Sequence, residues 1–304
     1  MAEIKAQWEI SKQNQIYLGF VLILLASLIF SSSFPVIRSI VWEVSPQLQI
    51  ALRFGIAAML LTPFFRGFTL PLLRDGAIVG ILFFCLCAAE ALGLQELTAN
   101  RAGFIVALSV IFVTLFELIA GKPISLRVIL AAFMSFVGTG IMAWNQDVSL
   151  VGASWFLICA LLDSAYILVI EKVTLQHSPM QLSIISFWVT AFLGILWSFP
   201  QLSTQMEVVN RHIGAIAYLA LVATILYFFV ELLGQRWIPG QEVAIFRAID
   251  PILTAILSFL LLGETLTTRD VWGGILILIA IVLVVTKKDI GEEKSSPNSP
   301  ISAN

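Results

Sequence analysis

The chain has 304 residues, of which 59% are hydrophobic and only 12% are charged, and its formal net charge is -2. A soluble domain carries about twice this fraction of charged residues. The composition therefore excludes a soluble protein, and without an excess of basic residues nucleic acid is not an expected partner.

Apolar segments of about 20 residues follow one another along the chain, and each is long enough for a membrane-spanning helix. Taken in order, we predict ten spans at residues 17–41, 46–65, 75–97, 101–120, 124–144, 151–172, 180–200, 211–234, 241–262 and 270–286. Short connections predict that successive helices pack as antiparallel neighbours. The expected fold is an all-α integral membrane protein, and residues 287–304 are a polar tail predicted to be disordered.

The distribution of basic residues predicts the orientation of the spans. Basic residues collect in the short loops of the cytoplasmic side. If residues 1–16 are cytoplasmic, that side holds Lys5, Lys12, Arg66, Arg74, Lys122, Arg127, Lys172, Arg236, Lys287 and Lys288. The opposite side holds Arg101, Arg211, Arg269 and, at its edge, Arg38. This asymmetry predicts that both termini are cytoplasmic.

The two halves of the chain resemble each other. Leu18–Gln49 aligns with Val151–Leu182 at a constant offset, which places Ser45–Pro46 on Ser178–Pro179. Ser-Pro is typical of a helix start, since serine caps the helix and proline takes its first position. The repeats are predicted at residues 17–144 and 151–286, with five spans each. Because five is odd, the second repeat is inverted relative to the first, as in many secondary transporters.

A family resemblance follows from two further segments. "ALRFGIAAMLL" (Ala51–Leu61) and "AIDPILTAILSFLLLGETLTTRDVWGGILILIAIVLVV" (Ala248–Val285), together with the repeat, resemble the drug/metabolite transporter superfamily, in particular EamA-type permeases. The resemblance extends from Leu18 to Lys287. It implies a ten-span transporter scaffold, which such families use for substrates as different as amino acids, sugars, nucleotide derivatives and drugs.

The ninth predicted span carries the strongest candidate site. Arg247, Asp250, Thr254 and Ser258 follow steps of three and four residues, so they share one helix face. Ionisable groups at membrane depth usually face the bundle interior or a water-filled cavity. Pro251 frees the carbonyl of Arg247 from its helical hydrogen bond. Arg247 and Asp250, three residues apart, are predicted to pair. This face is predicted to line the substrate pathway, and the alternative is a purely structural ion pair with a neighbour.

Other polar residues at membrane depth extend this candidate pathway. They are Ser31 in the first span, Arg53 in the second, Glu90 in the third, and Asp163 with Tyr166 in the sixth. For Arg53 the alternative is a side chain that extends to the membrane surface. For Glu90 and Asp163 it is a buried neutral acid. Glu231 lies near the inner end of the eighth span, where exposure at the interface is the alternative to a place on the face of Thr224 and Tyr227.

Several site classes find no support in the sequence. There is no Walker A motif, no His-Glu-x-x-His and no nucleophile elbow, so we predict no catalytic residue, no metal site and no cofactor. Cys85, Cys87 and Cys159 lie in apolar runs without zinc spacing. Gly76 and Gly80 form a GxxxG pattern, which we interpret as close helix packing rather than dimerisation, although a homodimer is compatible with the sequence.

These observations predict a secondary active transporter, expected to export a small metabolite such as an amino acid, by alternating access around a central polar cavity. A coupling proton is compatible with the buried acids, and the lipid bilayer is the other partner. One alternative is a carrier of anionic sugar phosphates or nucleotide sugars. Another is a membrane scaffold or an intramembrane enzyme. Short loops favour a bacterial inner membrane.

Overall fold

Helices form every regular element in the part of the chain that the structure describes. The structure, a computed structural model, describes residues 2–67, 69–121, 124–143, 149–199, 204–247, 249–263 and 268–285. The tail predicted to be disordered at residues 287–304 lies outside these ranges. So do Lys122, Lys287 and Lys288, which the orientation argument used.

The helices are numbered here in chain order. They are α1 (Ala2–Ile40), α2 (Pro46–Leu61), α3 (Leu70–Glu96), α4 (Ala99–Val106), α5 (Ser109–Ile119), α6 (Leu126–Ala143), α7 (Leu150–Val173), α8 (Pro179–Ser198), α9 (Met206–Arg211), α10 (Ile213–Ala220), α11 (Tyr227–Gln235), α12 (Gly240–Arg247), α13 (Asp250–Leu262) and α14 (Thr268–Val285). A 3₁₀ turn at Thr62–Phe64 extends α2, and a π-helical segment at Leu221–Leu226 joins α10 to α11.

Seven helical segments among the described residues are long and apolar enough to cross a membrane. They are Asn14–Ile40, Pro46–Phe64, Leu70–Glu96, Leu150–Val173, Pro179–Ser198, Ile213–Gln235 and Glu242–Leu262. Three shorter apolar helices, Ser109–Ile119, Leu126–Gly138 and Val271–Ala280, fall within the fourth, fifth and tenth predicted spans. The chain is a multi-pass membrane protein, while the number of ten spans stays a prediction.

Proline positions set the starts of two helices as predicted. α2 begins at Pro46 and α8 begins at Pro179. The prediction that the preceding serines cap these helices is wrong, because neither Ser45 nor Ser178 makes a side-chain cap hydrogen bond. The fixed φ of proline is therefore the local feature that starts these helices.

The start of α3 differs from the sequence prediction. The helix begins at Leu70, although the third span was predicted from residue 75. Thr69 caps this earlier start, since its side chain accepts a hydrogen bond from the Leu72 N–H, and a proline lies in the first turn. Capping chemistry thus extends the helix beyond its most apolar part.

Close packing joins α3 to α8. A Cβ atom on Gly80 would lie 2.7 Å from the Ser186 carbonyl oxygen, and one on Gly76 would lie 2.7 Å from Ile185 Cγ2. At the same contact the Thr190 hydroxyl donates to the Gly80 carbonyl at 2.9 Å. Small residues allow this approach and a hydroxyl satisfies the exposed carbonyl. The interpretation of the glycine pair as a packing feature within the chain is confirmed.

The directions of α3 and α7 follow from the contacts at their ends. Ser149 Oγ, just before α7, lies 3.2 Å from Glu96 Oε2 at the end of α3. His177 Nε2, just after α7, lies 2.8 Å from Asp75 Oδ2 near the start of α3. The two helices are therefore antiparallel, and α7 ends on the same face of the bundle as the start of α3. We call this the Asp75 face.

The opposite end of the bundle is called the Glu43 face, after the residue in the loop that follows α1. Arg38 in the last turn of α1 donates to the Leu94 carbonyl near the end of α3. α1 and α3 therefore run in the same direction, and α1 and α7 run in opposite directions. On this face Gln205 Oε1 also accepts a hydrogen bond from the Ser45 N–H at 3.0 Å, ahead of α9 and α10.

Candidate functional site

A broken helix places two charged residues inside the bundle. α12 ends at Arg247 and α13 begins at Asp250, so the predicted ninth span is two helices. Pro251 has no N–H and cannot bond to the Arg247 carbonyl, which explains a break at this point. Arg247 is 4% exposed and Asp250 is 5% exposed. The break therefore presents opposite charges to the interior.

The Arg247 guanidinium is the centre of a buried ion cluster. Its Nη1 lies 2.7 Å from Asp163 Oδ1 and 3.6 Å from Glu231 Oε1. Its Nε lies 3.4 Å from Asp250 Oδ2. The predicted pair of Arg247 with Asp250 is confirmed, but Asp163 on α7 is the nearer partner. These four residues are called the Arg247 cluster.

Neighbouring side chains orient the cluster. The Tyr166 hydroxyl donates to Glu231 Oε2 at 2.9 Å, and Gln235 Nε2 donates to Glu231 Oε1 at 3.3 Å. The guanidinium carbon of Arg247 lies 4.7 Å from the centroid of the Phe30 ring, in a cation–π contact. The four cluster residues lie on α7, α11, α12 and α13, all in the second half of the chain. The Phe30 ring comes from α1, in the first half.

The cluster contains more acid than base. One guanidinium faces three carboxyl groups, so full ionisation would leave two excess negative charges in a buried place. Uncompensated buried charge is costly. A proton or a cationic group of a ligand would neutralise it. The described residues include no grouping of His, Cys, Asp and Glu side chains suited to a metal ion.

Several polar atoms of the cluster have no hydrogen-bond partner among the described residues. These are Arg247 Nη2, Asp163 Oδ2 and Asp250 Oδ1, followed along α13 by the hydroxyls of Thr254 and Ser258. Buried polar atoms are normally satisfied. The predicted face of α13 therefore offers both a donor and acceptors for a ligand, and Thr254 and Ser258 extend it toward the Glu43 face.

Arg53 lies in a second polar centre. Its Nε donates to the Thr224 hydroxyl, and its Nη2 donates to the Ala223 carbonyl at 2.7 Å. Both acceptors belong to the π-helical segment, where backbone carbonyls lose their regular helical partners. Arg53 is 3% exposed, so the alternative of extension to the membrane surface is wrong. It holds an irregular helix rather than contacting the Arg247 cluster directly.

Ser31 and Glu90 connect the first half of the chain to these centres in different ways. Ser31 Oγ donates to the Asp250 carbonyl at 3.1 Å, and so ties α1 to the first turn of α13. Glu90 is 2% exposed and accepts a long hydrogen bond, 3.5 Å, from Ser33 Oγ. Ser31 therefore touches the backbone of the cluster, whereas Glu90 bonds to Ser33 and to none of the four cluster residues.

Glu231 was not among the predicted pathway residues. Exposure at the interface was the alternative considered for it, and that alternative is wrong, because Glu231 is 1% exposed and belongs to the cluster. The sequence feature that could have identified Glu231 is the helix face that it shares with Thr224 and Tyr227. Its place near the end of α11 obscured this signal, since depth in the bundle depends on the neighbouring helices.

Comparison with known proteins agrees with this architecture. The sequence profile of the EamA-like transporter family matches residues 17–144 and again residues 150–286. An uncharacterized transporter of Archaeoglobus fulgidus is 27% identical over 268 residues, covering 86% of this chain and 83% of the relative. The uncharacterized inner membrane transporter YicL of Salmonella typhimurium is 25% identical over 181 residues, which cover 57% of this chain and 59% of YicL.

A solved crystal structure shares the fold. It superposes with a TM-score of 0.68 at 18% sequence identity and covers 90% of this chain and 98% of its own. The double match of the family profile, each copy spanning one predicted repeat, agrees with the resemblance to the drug/metabolite transporter superfamily. The chain belongs to the EamA-like transporter family.

Proposed function

We propose that the protein is a secondary active transporter that exports a small metabolite such as an amino acid by alternating access around the Arg247 cluster. The cluster is the observation that carries the proposal, because a buried group of four ionisable residues with unfilled donors and acceptors is costly unless a ligand uses it. The helices around it belong to two halves that rock against each other.

The packing of the helices supports two inverted five-span repeats. In this arrangement α1, α2 and α3 correspond to α7, α8 and the pair α10–α11, and α6 corresponds to α14. Contacts between the halves occur in matching pairs. α3 packs on α7, and its counterpart α11 packs on α1. In the same way α3 packs on α8, and its counterpart α10 packs on α2. α2 packs on α8 and α6 packs on α14, which pair corresponding helices with each other. A pseudo-two-fold axis accounts for this pattern.

The broken helices follow the same symmetry. The fourth span is interrupted between Val106 and Ser109, as the ninth is interrupted between Arg247 and Asp250. Discontinuous helices near the midplane commonly form the binding site of secondary transporters. The chemistry is not symmetric, however, because the first interruption carries no charged residue. The break in the ninth span therefore supplies the charges of the site, and the break in the fourth span supplies none.

The charges of the cluster favour a substrate with an amino group. Asp163 Oδ2 and Asp250 Oδ1 are unfilled acceptors that suit an ammonium group, and Arg247 Nη2 is an unfilled donor that suits a carboxylate. An amino acid carries both groups. When the site is empty, a proton on one of the carboxyl groups would relieve the excess negative charge, which makes proton coupling part of the proposal.

The anionic alternative has less support. Sugar phosphates and nucleotide sugars need several cations in the site, but Arg247 faces three carboxyl groups and Arg53 is held by Thr224 and Ala223. A membrane scaffold would leave the unfilled atoms of the cluster without a use. We further propose that the membrane is a bacterial inner membrane and that both termini are cytoplasmic.

Transport by purified protein in lipid vesicles tests the proposal. The probes are the radiolabelled protein amino acids, each measured by counterflow, beside glucose 6-phosphate as the anionic comparison. We expect transport of at least one amino acid, its loss in Arg247→Ala and Asp250→Asn, and no change in the exposed-residue controls Arg127→Ala and Glu207→Gln. Arg247→Lys tests the charge in case Arg247→Ala does not fold.

Two results would overturn parts of this proposal. Transport that survives both Arg247→Ala and Asp250→Asn would remove the Arg247 cluster from the pathway. Counterflow of glucose 6-phosphate with no counterflow of any amino acid would replace the substrate class. Direction is tested in cells, where the exported metabolite should accumulate when the gene is removed and fall when the protein is overproduced.

A further inference from the structure

Each of the two histidines in the chain lies close to a carboxylate. His177 Nε2 lies 2.8 Å from Asp75 Oδ2. His212 Nε2 lies 3.1 Å from Glu43 Oε2. Neither pair belongs to the Arg247 cluster, and neither is used by the proposed transport chemistry. Because the chain has so few histidines, this shared pairing is a feature that needs an explanation.

The two pairs lie at opposite ends of the bundle. The Asp75–His177 pair is on the Asp75 face, where α3 begins and α7 has ended. The Glu43–His212 pair is on the Glu43 face, where α1 has ended and α10 begins. Because the helices are long and apolar enough to cross a membrane, each pair lies at the end of the bundle on a different side of it.

The pairs also correspond under the exchange of the two halves. His177 lies in the loop after the first span of the second half and pairs with the start of the third span of the first half. Glu43 lies in the loop after the first span of the first half and pairs with the start of the third span of the second half. The positions match, while the histidine and the carboxylate have changed places.

We propose that these two pairs are the closing contacts of two gates, one on each side of the membrane, and that the pH of the adjoining water controls each gate separately. A gate here means the contact between the loop after a first span and the third span of the other half. Opening toward one side breaks the pair on that side and leaves the other pair closed. The inference rests on the repeats of the proposed function and not on its substrate.

The charged groups around each pair set the sign of the response. On the Asp75 face, Arg74 Nε lies 2.9 Å from Asp75 Oδ1, and Arg236 donates to the carbonyls of Thr174 and His177. Histidine changes charge between about pH 5 and pH 8. A neutral imidazole no longer attracts a carboxylate by charge, so we expect this gate to loosen at alkaline pH.

The Glu43–His212 pair should also loosen at alkaline pH. Protonation of Glu43 sets the lowest pH at which this gate stays closed. On the Glu43 face, Arg211 Nη1 lies 3.9 Å from Glu43 Oε2. Hydrogen bonding and the charge of His212 lower the pKa of Glu43 from its ordinary value of 4.5. A lowered pKa in the closed state means that acid weakens the pair only when the pH falls below this ordinary range. On the acid side, this gate therefore stays closed until the pH falls below that range.

The two gates are unequal. The side chains of Asp75 and His177 are 7% and 10% exposed, whereas those of Glu43 and His212 are 52% and 22% exposed. Salt screens exposed ion pairs more than buried ones. The gate on the Asp75 face should therefore be the stronger one, and added salt should loosen the gate on the Glu43 face first.

Distances measured between spin labels in vesicles test the inference without any substrate. With Cys85, Cys87 and Cys159 replaced by alanine, one sample carries labelled cysteines at positions 73 and 176 beside the Asp75–His177 pair. A second sample carries them at positions 42 and 213 beside the Glu43–His212 pair. The pH inside and outside the vesicles is then set independently, at 6 or at 8, in oriented preparations.

We expect pH 8 on the Asp75 face to raise the population with a long 73–176 distance by roughly fivefold, and to leave the 42–213 distance unchanged. His177→Gln should abolish this response while the 42–213 distance still responds to pH on its own side, which shows that the variant is folded. The inference is wrong if the two distances always change together, if neither changes, or if the response survives in His177→Gln. If the gates respond to pH but the protein transports none of the tested compounds, the proposed function is overturned and the inference about the gates stands.

Discussion

Replacing Arg247 by glutamine is expected to destabilise the protein more than any other single change in the cluster, because three carboxyl groups depend on one guanidinium. Removal of one partner from a buried ion pair costs about 3–5 kcal/mol. For a chain of this size, 1 kcal/mol lowers the midpoint of thermal unfolding by about 2 °C. The expected loss is therefore about 6–10 °C.

Thermal unfolding of the purified protein in detergent, at pH 8 and at pH 5, measures this loss. The loss should be smaller at pH 5, because carboxyl groups left without the guanidinium bind protons more readily as the pH falls. Adding Asp163→Asn to Arg247→Gln should restore part of the stability, since it removes the nearest uncompensated charge. Arg127→Gln, at an exposed position, is the control and should change stability by less than about 0.5 kcal/mol.

A shift below about 2 °C in Arg247→Gln at pH 8 would refute the reasoning, because it would mean that water or another cation already compensates the carboxyl groups. The same conclusion would follow if the loss did not depend on pH. Additive effects in the Arg247→Gln, Asp163→Asn double variant would show that the 2.7 Å contact contributes little coupling energy.

Two further predictions concern helix packing and the π-helical segment. Gly80→Ala should destabilise the protein by about 1–3 kcal/mol, because its Cβ would lie 2.7 Å from the Ser186 carbonyl oxygen. Gly55→Ala, in α2 with nothing within 4 Å of the new atom, should be neutral or stabilising by up to about 1 kcal/mol, and thermal unfolding of both variants checks the difference in sign. Thr224→Val removes the acceptor of the Arg53 Nε–H and should cost about 1–3 kcal/mol, while Thr224→Ser keeps the hydroxyl and should recover most of it; equal losses in the two variants would contradict this role.

Local chemistry made part of the site predictable from the sequence. Helical spacing placed Arg247, Asp250 and Thr254 on one face, and the missing N–H of Pro251 marked the Arg247 carbonyl as one without its helical hydrogen bond. The interruption of the ninth span was not predicted. The pairing of Arg247 with Asp250 follows from their separation of three residues. The start of α2 at Pro46 is predictable for the same reason, since it depends on one residue and its neighbours.

The partners that come from distant parts of the chain were not predictable in this way. Asp163 and Arg247 are 84 residues apart, and only the packing of α7 against α12 brings them together. Glu231 was misjudged because its position near the end of the predicted eighth span does not show whether neighbouring helices bury it. The π-helical segment also leaves no mark in the composition of Leu221–Leu226, which is uniformly apolar except for Thr224.

The most direct test of the account is the access of water to the polar face of α13 from each side of the membrane. In a chain without its native cysteines, Thr254→Cys and Ser258→Cys are exposed to a membrane-impermeant thiol reagent from one side at a time, with Leu260→Cys as the lipid-facing control. Alternating access predicts that Thr254→Cys reacts from both sides and that conditions favouring one side suppress reaction from the other. A Thr254→Cys thiol that never reacts from either side, in protein that still unfolds normally, would contradict a central site reached by water.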